Sequence, residues 1–465
     1  GNSILTKYKI VTLRVGFDPS RDGYLNPCMD VIQDNVGYSS KEDNTDGYQP
    51  MAFVPTDPYD PETNQCYMEL APDQYNVEQM TTEEGEIISD NMIVEFRYDT
   101  SKPKHWSWVP LRIRWDKTAE LRAGFKNFGN SYNVANDNWY SIHNPITPHM
   151  ISSGENIPVD TEGSDGKYYI RGDGSRRAKG HTEHLRDFHN KYVKQMLITS
   201  VSSPGNTLID LAVGKAGDMH KWIQSKLSFV LGIDYANDNI HNRLDGACAR
   251  YLNMRKKMKT MPYALFVHGD SSENIKDNTG IFTERGKMVI NSVFGNGEKN
   301  EEKLGKGVFR QYGKGVDGFN VCSCQFAIHY FFESKTKVHQ FLKNVTETTK
   351  VGGYFIGTSY DGATLFKELA TTKQGDSIHI YNGEDKVWEI IKQYSSDEFN
   401  SDETSIGYAV DVYQETIGKL FREYLVHYEY LIQLIENYGF SLISEEEASK
   451  LKLPNATGMF SELYN

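Results

Sequence analysis

The chain has 465 residues, 38% hydrophobic and 24% charged, which is too long for one ordinary core and predicts two or three domains. Its formal net charge of -13 argues against broad, non-specific attraction to nucleic acid, but leaves room for a local basic groove. The sequence has no apolar run long enough for a membrane span, no signal-peptide pattern and no CxxC pair among its five cysteines, which favours reduced thiols in a cytosolic or nuclear compartment.

Residues 1–150 show a strand-like pattern. Short apolar runs at 8–15, 87–98 and 109–115 are separated by clusters of Gly, Pro, Asn and Asp. This pattern predicts an all-β domain. In the last run, strand alternation places Arg112 and Arg114 on one face, with Asp116 and Lys117 at its end. Such a face suits a triphosphate, and the alternative is a salt-bridged protein surface.

A polar stretch rich in Gly, Ser and Asp follows at residues 151–180 and predicts a linker. Four basic residues crowd its end: Arg171, Arg176, Arg177 and Lys179. They favour a solvated face, and the alternative is a contact with RNA phosphates.

From His181 onward, helical and strand patterns alternate, which predicts a domain at 181–465 built on a mostly parallel sheet. The predicted helices lie at 184–199, 218–224 and 239–258. The predicted strands lie at 208–211, 229–234, 263–267 and 319–321. A segment rich in Gly, Lys and Asn at 291–318 is interpreted as an insertion.

The segment 207–218 places small residues where a strand turns into a helix, so that the backbone can approach a ligand closely. Asp234 ends the next strand, where a carboxylate can accept hydrogen bonds from both hydroxyls of a ribose. The full G-x-G-x-x-G and G-x-x-x-x-G-K-[ST] motifs are both missing, so S-adenosylmethionine fits better than a dinucleotide or a P-loop nucleotide. Asp270, after the following strand, is placed to accept the exocyclic amine of adenine. Ordinary strand ends or helix caps are the alternative for these positions.

Residues 323–334, SCQFAIHYFFES, follow another apolar strand. Polar Gln325, His329 and Tyr330 stand among Phe residues at the end of this strand, which indicates the wall of a ligand pocket. The alternative is a core segment whose polar groups are satisfied within the protein.

Five segments occur here in the order found in messenger-RNA cap guanine-N7 methyltransferases: 210–218 (DLAVGKAGD), 232–234 (GID), 324–334 (CQFAIHYFFES), 352–358 (GGYFIGT) and 423–424 (EY). Residues 181–464 therefore resemble this family. The resemblance implies a Rossmann-like class I methyltransferase with a seven-stranded, mostly parallel sheet. It also implies transfer of a methyl group from S-adenosylmethionine to guanine N7 of the messenger-RNA cap, with S-adenosylhomocysteine as product.

The same resemblance assigns a donor side and a cap side. The implied cofactor-binding residues are Lys194, Asp210, Gly214, Asp218, Asp234, Asp270, Ser271, Gln325 and Tyr330. The implied cap residues are Asn190, Lys215, His329, Tyr330, Tyr360, Glu423 and Tyr464. In this assignment Lys194 meets the methionine carboxylate and Lys215 faces the cap phosphates. Glu423 accepts the N1 and N2 protons of guanine, which selects guanine over adenine.

Three positions depart from the family pattern. Ala212 and Ala216 stand where the common pattern has Gly, and Tyr360 stands where some relatives have Pro. The two alanines would narrow the space beside the cofactor, which bears on its affinity more than on the chemistry.

The implied reaction needs no general acid or base. Guanine N7 has a free lone pair and the sulfonium is an activated methyl donor, so in-line displacement requires only alignment of the reacting atoms. His329, Tyr330 and Glu423 are therefore predicted to position the base, and no metal site is predicted.

The N-terminal segment resembles the oligonucleotide-binding (OB) fold lid of RNA guanylyltransferases in the multifunctional capping enzymes of large cytoplasmic DNA viruses. The chain has no K-x-D-G nucleophile motif and begins with Gly1, so we expect a fragment that starts inside a longer capping enzyme. The expected partners are the capped 5′ end of messenger RNA, an upstream nucleotidyltransferase domain of the same polypeptide, and other capping or transcription subunits. The expected location is the cytoplasm, or the virion if the protein is viral.

Two other functions stay open at this point. One is another S-adenosylmethionine enzyme, such as a ribose 2′-O-methyltransferase, which would need a lysine-based constellation to activate a hydroxyl. The other is a catalytically silent RNA-binding or regulatory capping subunit, suggested by Ala212 and Ala216.

Overall fold

A computed structural model of the chain describes residues 7–36, 48–56, 58–72, 74–126, 129–153, 180–258, 260–415 and 418–463. The chain divides into two compact units. The N-terminal unit comprises residues 1–26 and 39–160, and the C-terminal unit comprises residues 27–38 and 161–465. A short segment from the N-terminal half is thus part of the C-terminal unit. Within the described residues, no helix is long and apolar enough to cross a membrane.

The first 153 residues combine short strands with helices. The strands are β1 (Tyr8–Thr12), β2 (Arg14–Phe17), β3 (Gln49–Ala52), β4 (Gln65–Glu69), β5 (Ala71–Pro72), β6 (Glu78–Thr81), β7 (Ile87–Ile88), β8 (Val94–Tyr98) and β9 (Trp108–Ile113). The helices are α1 (Pro19–Asp22), α2 (Pro27–Ile32), α3 (Trp115–Arg122), α4 (Tyr132–His143) and α5 (Pro148–Ser153).

The prediction of an all-β domain at 1–150 is wrong. Helix α4 buries Tyr132 and Trp139, which lie two helical turns apart, against Phe17 and Phe53 of the sheet region. This spacing is a helical signal that the flanking Asn and Asp residues obscure. In the described residues, the strands form separate antiparallel sheets, β1 with β4, β2 with β3, β8 with β9, and β5 with β6 and β7, rather than one connected barrel.

The C-terminal unit is built on a parallel sheet. Its strands are β10 (Thr207–Asp210), β11 (Phe229–Asp234), β12 (Tyr263–His268), β13 (Phe319–Gln325) and β14 (Thr349–Thr358). Their spatial order is β12-β11-β10-β13-β14, and every neighbouring pair is parallel. The order reverses between β10 and β13, which is the switch point of a Rossmann-like sheet, where ligands bind beyond the carboxyl ends of the strands.

The prediction of a seven-stranded sheet is corrected to five strands in the described residues. The next four strands, β15 (Ser377–Asn382), β16 (Asp385–Lys392), β17 (Ala409–Gln414) and β18 (Leu420–Tyr424), form a separate antiparallel sheet in chain order. The reason is local: two residues join β15 to β16, with Gly383 at φ 65°, and so short a connection makes only antiparallel neighbours.

The remaining elements of the C-terminal unit are helical. The helices are α6 (Glu183–Phe188), α7 (Lys194–Val201), α8 (Met219–Gln224), α9 (Asn237–His241), α10 (Ala247–Lys257), α11 (Glu284–Val293), α12 (Glu301–Leu304), α13 (Lys306–Arg310), α14 (Ile328–Phe331), α15 (Lys335–Thr348), α16 (Gly362–Glu368), α17 (Tyr428–Asn437) and α18 (Glu445–Lys450). A π-helical turn, His189–Val193, joins α6 to α7, and 3₁₀ turns lie at Glu403–Ser405 and Phe460–Leu463.

The predicted helix at 239–258 is two helices, α9 and α10. Between them, Gly246 lies so close to the turn that a Cβ there would be 2.7 Å from the backbone N and O of Asn242. Such an approach excludes a side chain at residue 246. The helix breaks here because the backbone leaves the helical region at Asn242 (ψ 125°) and again at Gly246 (ψ 166°).

Helix α2 packs within the C-terminal unit, beside α10 and α13. Asp34, just after α2, pairs with Arg255 of α10 and with Arg310 of α13. Gly307 of α13 is the close-contact residue, because a Cβ there would be 2.3 Å from the carbonyl oxygen of Val31. Residues 27–36 are therefore held to the C-terminal unit by charge and by close backbone packing.

Candidate functional site

A cavity of about 980 Å³ lies at the carboxyl ends of the parallel strands. It is lined by residues that follow β10 (211–215), β11 (234–236), β12 (269–271), β13 (325–327) and β14 (358–361). Residues of α6, the π-helical turn, β17, β18 and the C-terminal 3₁₀ turn complete the wall. The cavity thus occupies the position that the strand order predicts for a ligand.

Asp234 ends β11 and is held in a fixed orientation. Its Oδ2 accepts the backbone N–H of Gly214 at 2.7 Å, and its Oδ1 accepts from Ala236 N at 3.0 Å and Asn239 Nδ2 at 2.9 Å. A carboxylate has about four acceptor positions, so Oδ2 retains capacity for a ligand hydroxyl. Burial raises the pKa of Asp234, while these three donors oppose the rise.

Asp218 stands between two lysines. Its Oδ1 lies 2.7 Å from Nζ of Lys221 and its Oδ2 lies 3.4 Å from Nζ of Lys194. Burial alone would raise the pKa of Asp218, but the two ammonium groups outweigh it and lower the pKa below its ordinary value. An ionised carboxylate beside a lysine suits a ligand that carries both an amine and a carboxylate, as an amino acid does.

The loop between β10 and α8 is a cradle of backbone. Gly214 has φ 54° and Gly217 is not strained, and a Cβ on either would meet open space. Ala216, one of the two alanines in place of glycine, is fully buried and has φ 53°, a conformation that disfavours a side chain. Asp210 ends β10 behind this loop, where burial, and then the charge of Asp218, raise its pKa to about 7.

Asp270 and Ser271, which follow β12, form hydrogen bonds within the protein. Asp270 lines the cavity, and its Oδ1 accepts the N–H and the hydroxyl of Ser272 at 2.8 and 2.7 Å. The hydroxyl of Ser271 donates to the carbonyl of Leu211 at 2.7 Å. Ser271 therefore ties this loop to the glycine loop through its side chain.

The turn after β13 forms one wall of the cavity. Gln325 is buried, where its Oε1 accepts from the hydroxyl of Thr358 and its Nε2 donates to Ser323. Phe326 has φ 57°, and its N–H donates to the carbonyl of Thr358 at 2.9 Å. A bulky residue in this conformation is uncommon and costs energy, so the surrounding bonds hold the turn in place.

Glu423 reaches the cavity because of strand alternation. In β18, Phe421 and Glu423 point inward while Arg422 points outward and pairs with Asp411. Glu423 is 7% exposed, and its Oε2 has no hydrogen-bond partner in the structure. Burial raises its pKa to about 8. A buried carboxylate with a free oxygen is costly unless a ligand donates to it.

His329 does not line the cavity. It is fully buried on α14, its Nε2 lies 3.7 Å from Oε1 of Glu423, and neither ring nitrogen has a hydrogen-bond partner in the structure. Burial lowers its pKa to about 3, so the ring is neutral and the contact with Glu423 is not an ion pair. Tyr330 and Tyr360 do line the cavity, and both pack against the His329 ring.

Asn190 and Lys215 also line the cavity. Asn190 sits in the π-helical turn, a helix irregularity that is frequent at functional sites. Lys215 is drawn toward protein carboxylates, since its Nζ lies 2.7 Å from Asp238 and 2.8 Å from Asp245. To contact a phosphate it would have to exchange one of these partners. Tyr464 lies outside the described residues.

Several cavity residues were not predicted from sequence. Nε2 of His189 and the hydroxyl of Thr358 are hydrogen-bonded at 3.0 Å. The His189 ring also stacks on Phe460 of the C-terminal 3₁₀ turn. Lys221, Trp388 and Tyr428 were also missed, although only the last two line the cavity. Lys221 alone had a local signal, because it stands three residues after Asp218 on one helix face.

The predicted phosphate face of the N-terminal unit is paired within the protein. Arg112 contacts Glu95, Arg114 contacts Asp116, and Lys117 contacts Glu120. Arg112 lies on β9, but Arg114 lies beyond its end and Asp116 and Lys117 belong to α3. The prediction that Arg112 and Arg114 share a strand face is therefore wrong, because the strand stops at Ile113. The basic cluster at 171–179 lies outside the described residues, as does most of the predicted linker.

In the part of the chain that the structure describes, no group of three or more His, Cys, Asp or Glu residues could hold a metal ion.

The strand order, the acidic residue at the end of the second strand and the cavity across the strand ends define a Rossmann-like protein with a nucleoside-cofactor site. A sequence profile of the mRNA (guanine-N(7))-methyltransferase domain matches residues 168–457. The chain belongs to this family, which confirms the sequence-based recognition and implies S-adenosylmethionine as the methyl donor. The free acceptor capacity of Asp234, the paired Asp218 and the open glycine cradle fit that cofactor.

Two individual relatives match the chain over different lengths. A probable mRNA-capping enzyme of Acanthamoeba polyphaga mimivirus is 30% identical over 385 residues, covering 78% of this chain and 31% of that protein. The mRNA cap guanine-N(7) methyltransferase of Saccharomyces cerevisiae is 28% identical over 273 residues, covering 57% of this chain and 52% of that protein. The chain thus spans about a third of the first relative and about half of the second.

Among solved structures, an S-adenosylmethionine-dependent methyltransferase from Clostridium acetobutylicum is 12% identical, with 56% of this chain and 92% of that chain covered and a TM-score of 0.31. So slight a likeness carries no structural argument.

Proposed function

We propose that the C-terminal unit transfers the methyl group of S-adenosylmethionine to N7 of the guanine in the cap of messenger RNA, converting GpppN to m7GpppN. One observation carries the proposal: Asp234 and Asp218, which suit the donor, share a single cavity with Glu423, which has an unpartnered oxygen suited to guanine. Family membership supports the same reaction.

The donor-side residues bind and orient. Asp234 accepts from the ribose, and Asp218 accepts from the methionine amine. Lys194, whose contact with Asp218 is the longer of the two, turns to the methionine carboxylate. Lys221 stays on Asp218 and keeps it ionised. When bound, the cofactor supplies an electrophilic methyl group on a sulfonium.

The cap-side residues select the base. Ionised Glu423 accepts the N1 and N2 protons of guanine, which adenine cannot offer in that arrangement. Tyr330 and Tyr360 lie on the same wall and hold the base by packing. Asn190 and Lys215 complete this side, with Lys215 directed to the cap phosphates when it leaves one of its carboxylate partners.

Neutral His329 acts indirectly, since it stands behind Tyr330 and Tyr360 rather than in the cavity. Guanine N7 needs no deprotonation to attack the methyl group, so catalysis consists of alignment. The reaction therefore needs no general base from the cavity residues.

We further infer that the N-terminal unit, in spite of its helices, serves as a guanylyltransferase-type lid of OB-fold character within a longer capping enzyme that acts in the cytoplasm or the virion. The similarity to the mimivirus capping enzyme, which extends over 385 residues and therefore beyond the methyltransferase match, supports this role. The partners would be an upstream nucleotidyltransferase domain, other capping or transcription subunits, and the capped RNA.

A labelling experiment tests the main proposal. The protein is incubated with methyl-labelled S-adenosylmethionine and GpppA-capped RNA, and the RNA is digested to identify the methylated position. Label at guanine N7 is expected. Label on a ribose would favour a 2′-O-methyltransferase, and cofactor binding without any transfer would favour a silent capping subunit; either result contradicts the proposal.

A further inference from the structure

Two cysteines far apart in sequence meet in the C-terminal unit, outside the methyltransferase cavity. Sγ of Cys28, on α2, lies 2.8 Å from Sγ of Cys248, on α10, and 3.3 Å from Nδ1 of His241, the last residue of α9. Cys28 is half-buried, whereas Cys248 is 1% exposed. Cys28 is therefore the more exposed residue of the pair, and Cys248 is packed directly behind it.

The two thiols differ in their tendency to ionise. The hydrogen bond from Cys248, and less strongly the charge of His241, lower the pKa of Cys28 to about 6 in spite of its burial. Burial, and then the neighbouring Cys28 thiolate, raise the pKa of Cys248. Burial lowers the pKa of His241, but the charge of Cys28 and its hydrogen bond together outweigh burial and raise that pKa. Cys28 is thus the thiolate of the pair and Cys248 the thiol.

The other cysteines lack these features. Burial raises the pKa of Cys66 and of Cys322 to about 12, and Cys324 is fully buried within β13. A metal role is not supported, since no described group of His, Cys, Asp or Glu suits a metal ion. A reactive thiolate with an adjacent resolving thiol is the arrangement of a thiol oxidation site.

We propose that Cys28 and Cys248 form a peroxide-reactive modification site that closes to a disulfide. The Cys28 thiolate attacks one oxygen of hydrogen peroxide, the O–O bond breaks, and the leaving hydroxide takes a proton to become water. Cys28 is then a sulfenic acid. The Cys248 sulfur attacks it, the S–O bond breaks, and a second water leaves. In total, two thiols lose two electrons to the peroxide and become one disulfide.

The disulfide would fasten residues 27–36 to the wall of the donor site. Helix α9, which ends at His241, carries Asn239, and Asn239 donates to Asp234. Cys28 Sγ also lies 3.9 Å from the carbonyl of Ile240 in the same helix. The closed pair would join α2 covalently to α10 beside this helix, and would stabilise the unit against unfolding because it closes a very long loop.

The test uses the whole chain. The reduced protein is treated with hydrogen peroxide near neutral pH, its remaining thiols are alkylated, and non-reducing digests are examined by mass spectrometry. We expect a Cys28–Cys248 linked peptide, lost on treatment with dithiothreitol, and a higher thermal midpoint that falls back on reduction. Oxidation of other cysteines before Cys28, or conversion of Cys28 to the sulfinic acid without a link, would overturn the proposal.

Four variants keep the result interpretable. Cys248→Ser should leave Cys28 as a sulfenic acid that dimedone traps, and Cys28→Ser should leave Cys248 reduced. Cys66→Ser, at a cysteine without a thiol partner, should form the link like the wild type. His241→Gln should slow the reaction of Cys28 several-fold near neutral pH and recover the rate at higher pH. An unchanged rate in His241→Gln would contradict the role given to the imidazole.

Discussion

At the scale of the residue, the protonation of Glu423 decides when guanine can bind. Burial raises its pKa from 4.5 to about 8, so near neutral pH the ligand-free protein holds much of Glu423 in the protonated form. The folded state then binds a proton that the unfolded chain releases at lower pH. This contribution to the free energy of unfolding is greatest below about pH 4.5 and is lost as pH rises through about 8.

Cap binding should show the opposite dependence on pH. Only ionised Glu423 can accept both guanine protons, so the affinity for a cap analogue should rise as pH increases toward about 8 and level off above it. Fluorescence titration with GpppA across this range measures the effect. Glu423→Gln should bind the analogue weakly at every pH, and Glu423→Ala should abolish cap methylation. Both should keep nearly normal affinity for S-adenosylhomocysteine; a parallel loss of both ligands would remove Glu423 from the guanine site.

Gly214→Ala should weaken donor binding. Gly214 has φ 54° and faces the cavity, so a methyl group there brings strain of about 1 to 2 kcal/mol and enters the cofactor space. The KM for S-adenosylmethionine should rise at least several-fold in steady-state assays.

Gly205→Ala is the matched control for that change. Gly205 has φ 86° and open space around it, but it lies in a turn away from the cavity, so its substitution brings similar strain without touching the donor. Equal KM values in the two variants would show that strain alone, and not contact with the donor, explains the Gly214 result.

At the scale of the element, α2 depends on the close approach of α13. A Cβ at residue 307 would be 2.3 Å from the carbonyl of Val31, so Gly307→Ala should push α2 away from the unit. We expect a lower thermal midpoint and faster amide hydrogen exchange at residues 27–36. Lys306→Ala, at the exposed first residue of the same helix, should leave both unchanged. Normal exchange at 27–36 in Gly307→Ala would show that this contact does not hold α2.

The sequence predicted elements best where the pattern is local. The strand at 229–234 and the helix at 184–199 follow from apolar periodicity, and the structure has them as β11 and as the continuous run α6 to α7. The sequence does not predict an element's position where that position depends on contacts with residues far away in the sequence. Nothing near Pro27 indicates that α2 packs on α10, and nothing near Leu420 indicates which sheet β18 joins.

The candidate site shows the same division. Asp234 and Gly214 were predictable, because an acidic strand end and a glycine turn are adjacent along the chain and bond to each other at 2.7 Å. The prediction puts His329 in the pocket wall, but in the structure it is buried on α14 against Tyr330 and does not line the cavity. Single-residue orientation in so short a helix depends on packing against β18, which lies about 90 residues later in the sequence.

At the scale of the whole molecule, the reaction product should stabilise the protein. A ligand at 100 times its Kd adds about 2.7 kcal/mol to the free energy of unfolding of the state that binds it. S-adenosylhomocysteine should therefore raise the thermal midpoint of the C-terminal unit by several degrees, in proportion to the logarithm of its concentration. Differential scanning fluorimetry measures the shift.

Asp234→Asn tests whether this shift comes from the cavity. It keeps the size of the side chain but loses the carboxylate that accepts from the ribose, so most of the shift should vanish. Asp277→Asn, at an exposed turn outside the cavity, should keep the full shift. If Asp234→Asn retained the wild-type shift, the product would bind without this carboxylate.

The inclusion of α2 in the C-terminal unit has a consequence for synthesis on the ribosome. Cys28 and Cys248 are 220 positions apart. At about 5 to 20 residues per second, α2 emerges roughly 10 to 40 seconds before α10 exists to receive it. During that interval Val31 and Ile32, both buried in the finished protein, have no native partner on α10 or α13. The nascent chain must keep this apolar segment from other associations until Ala247–Lys257 has been translated.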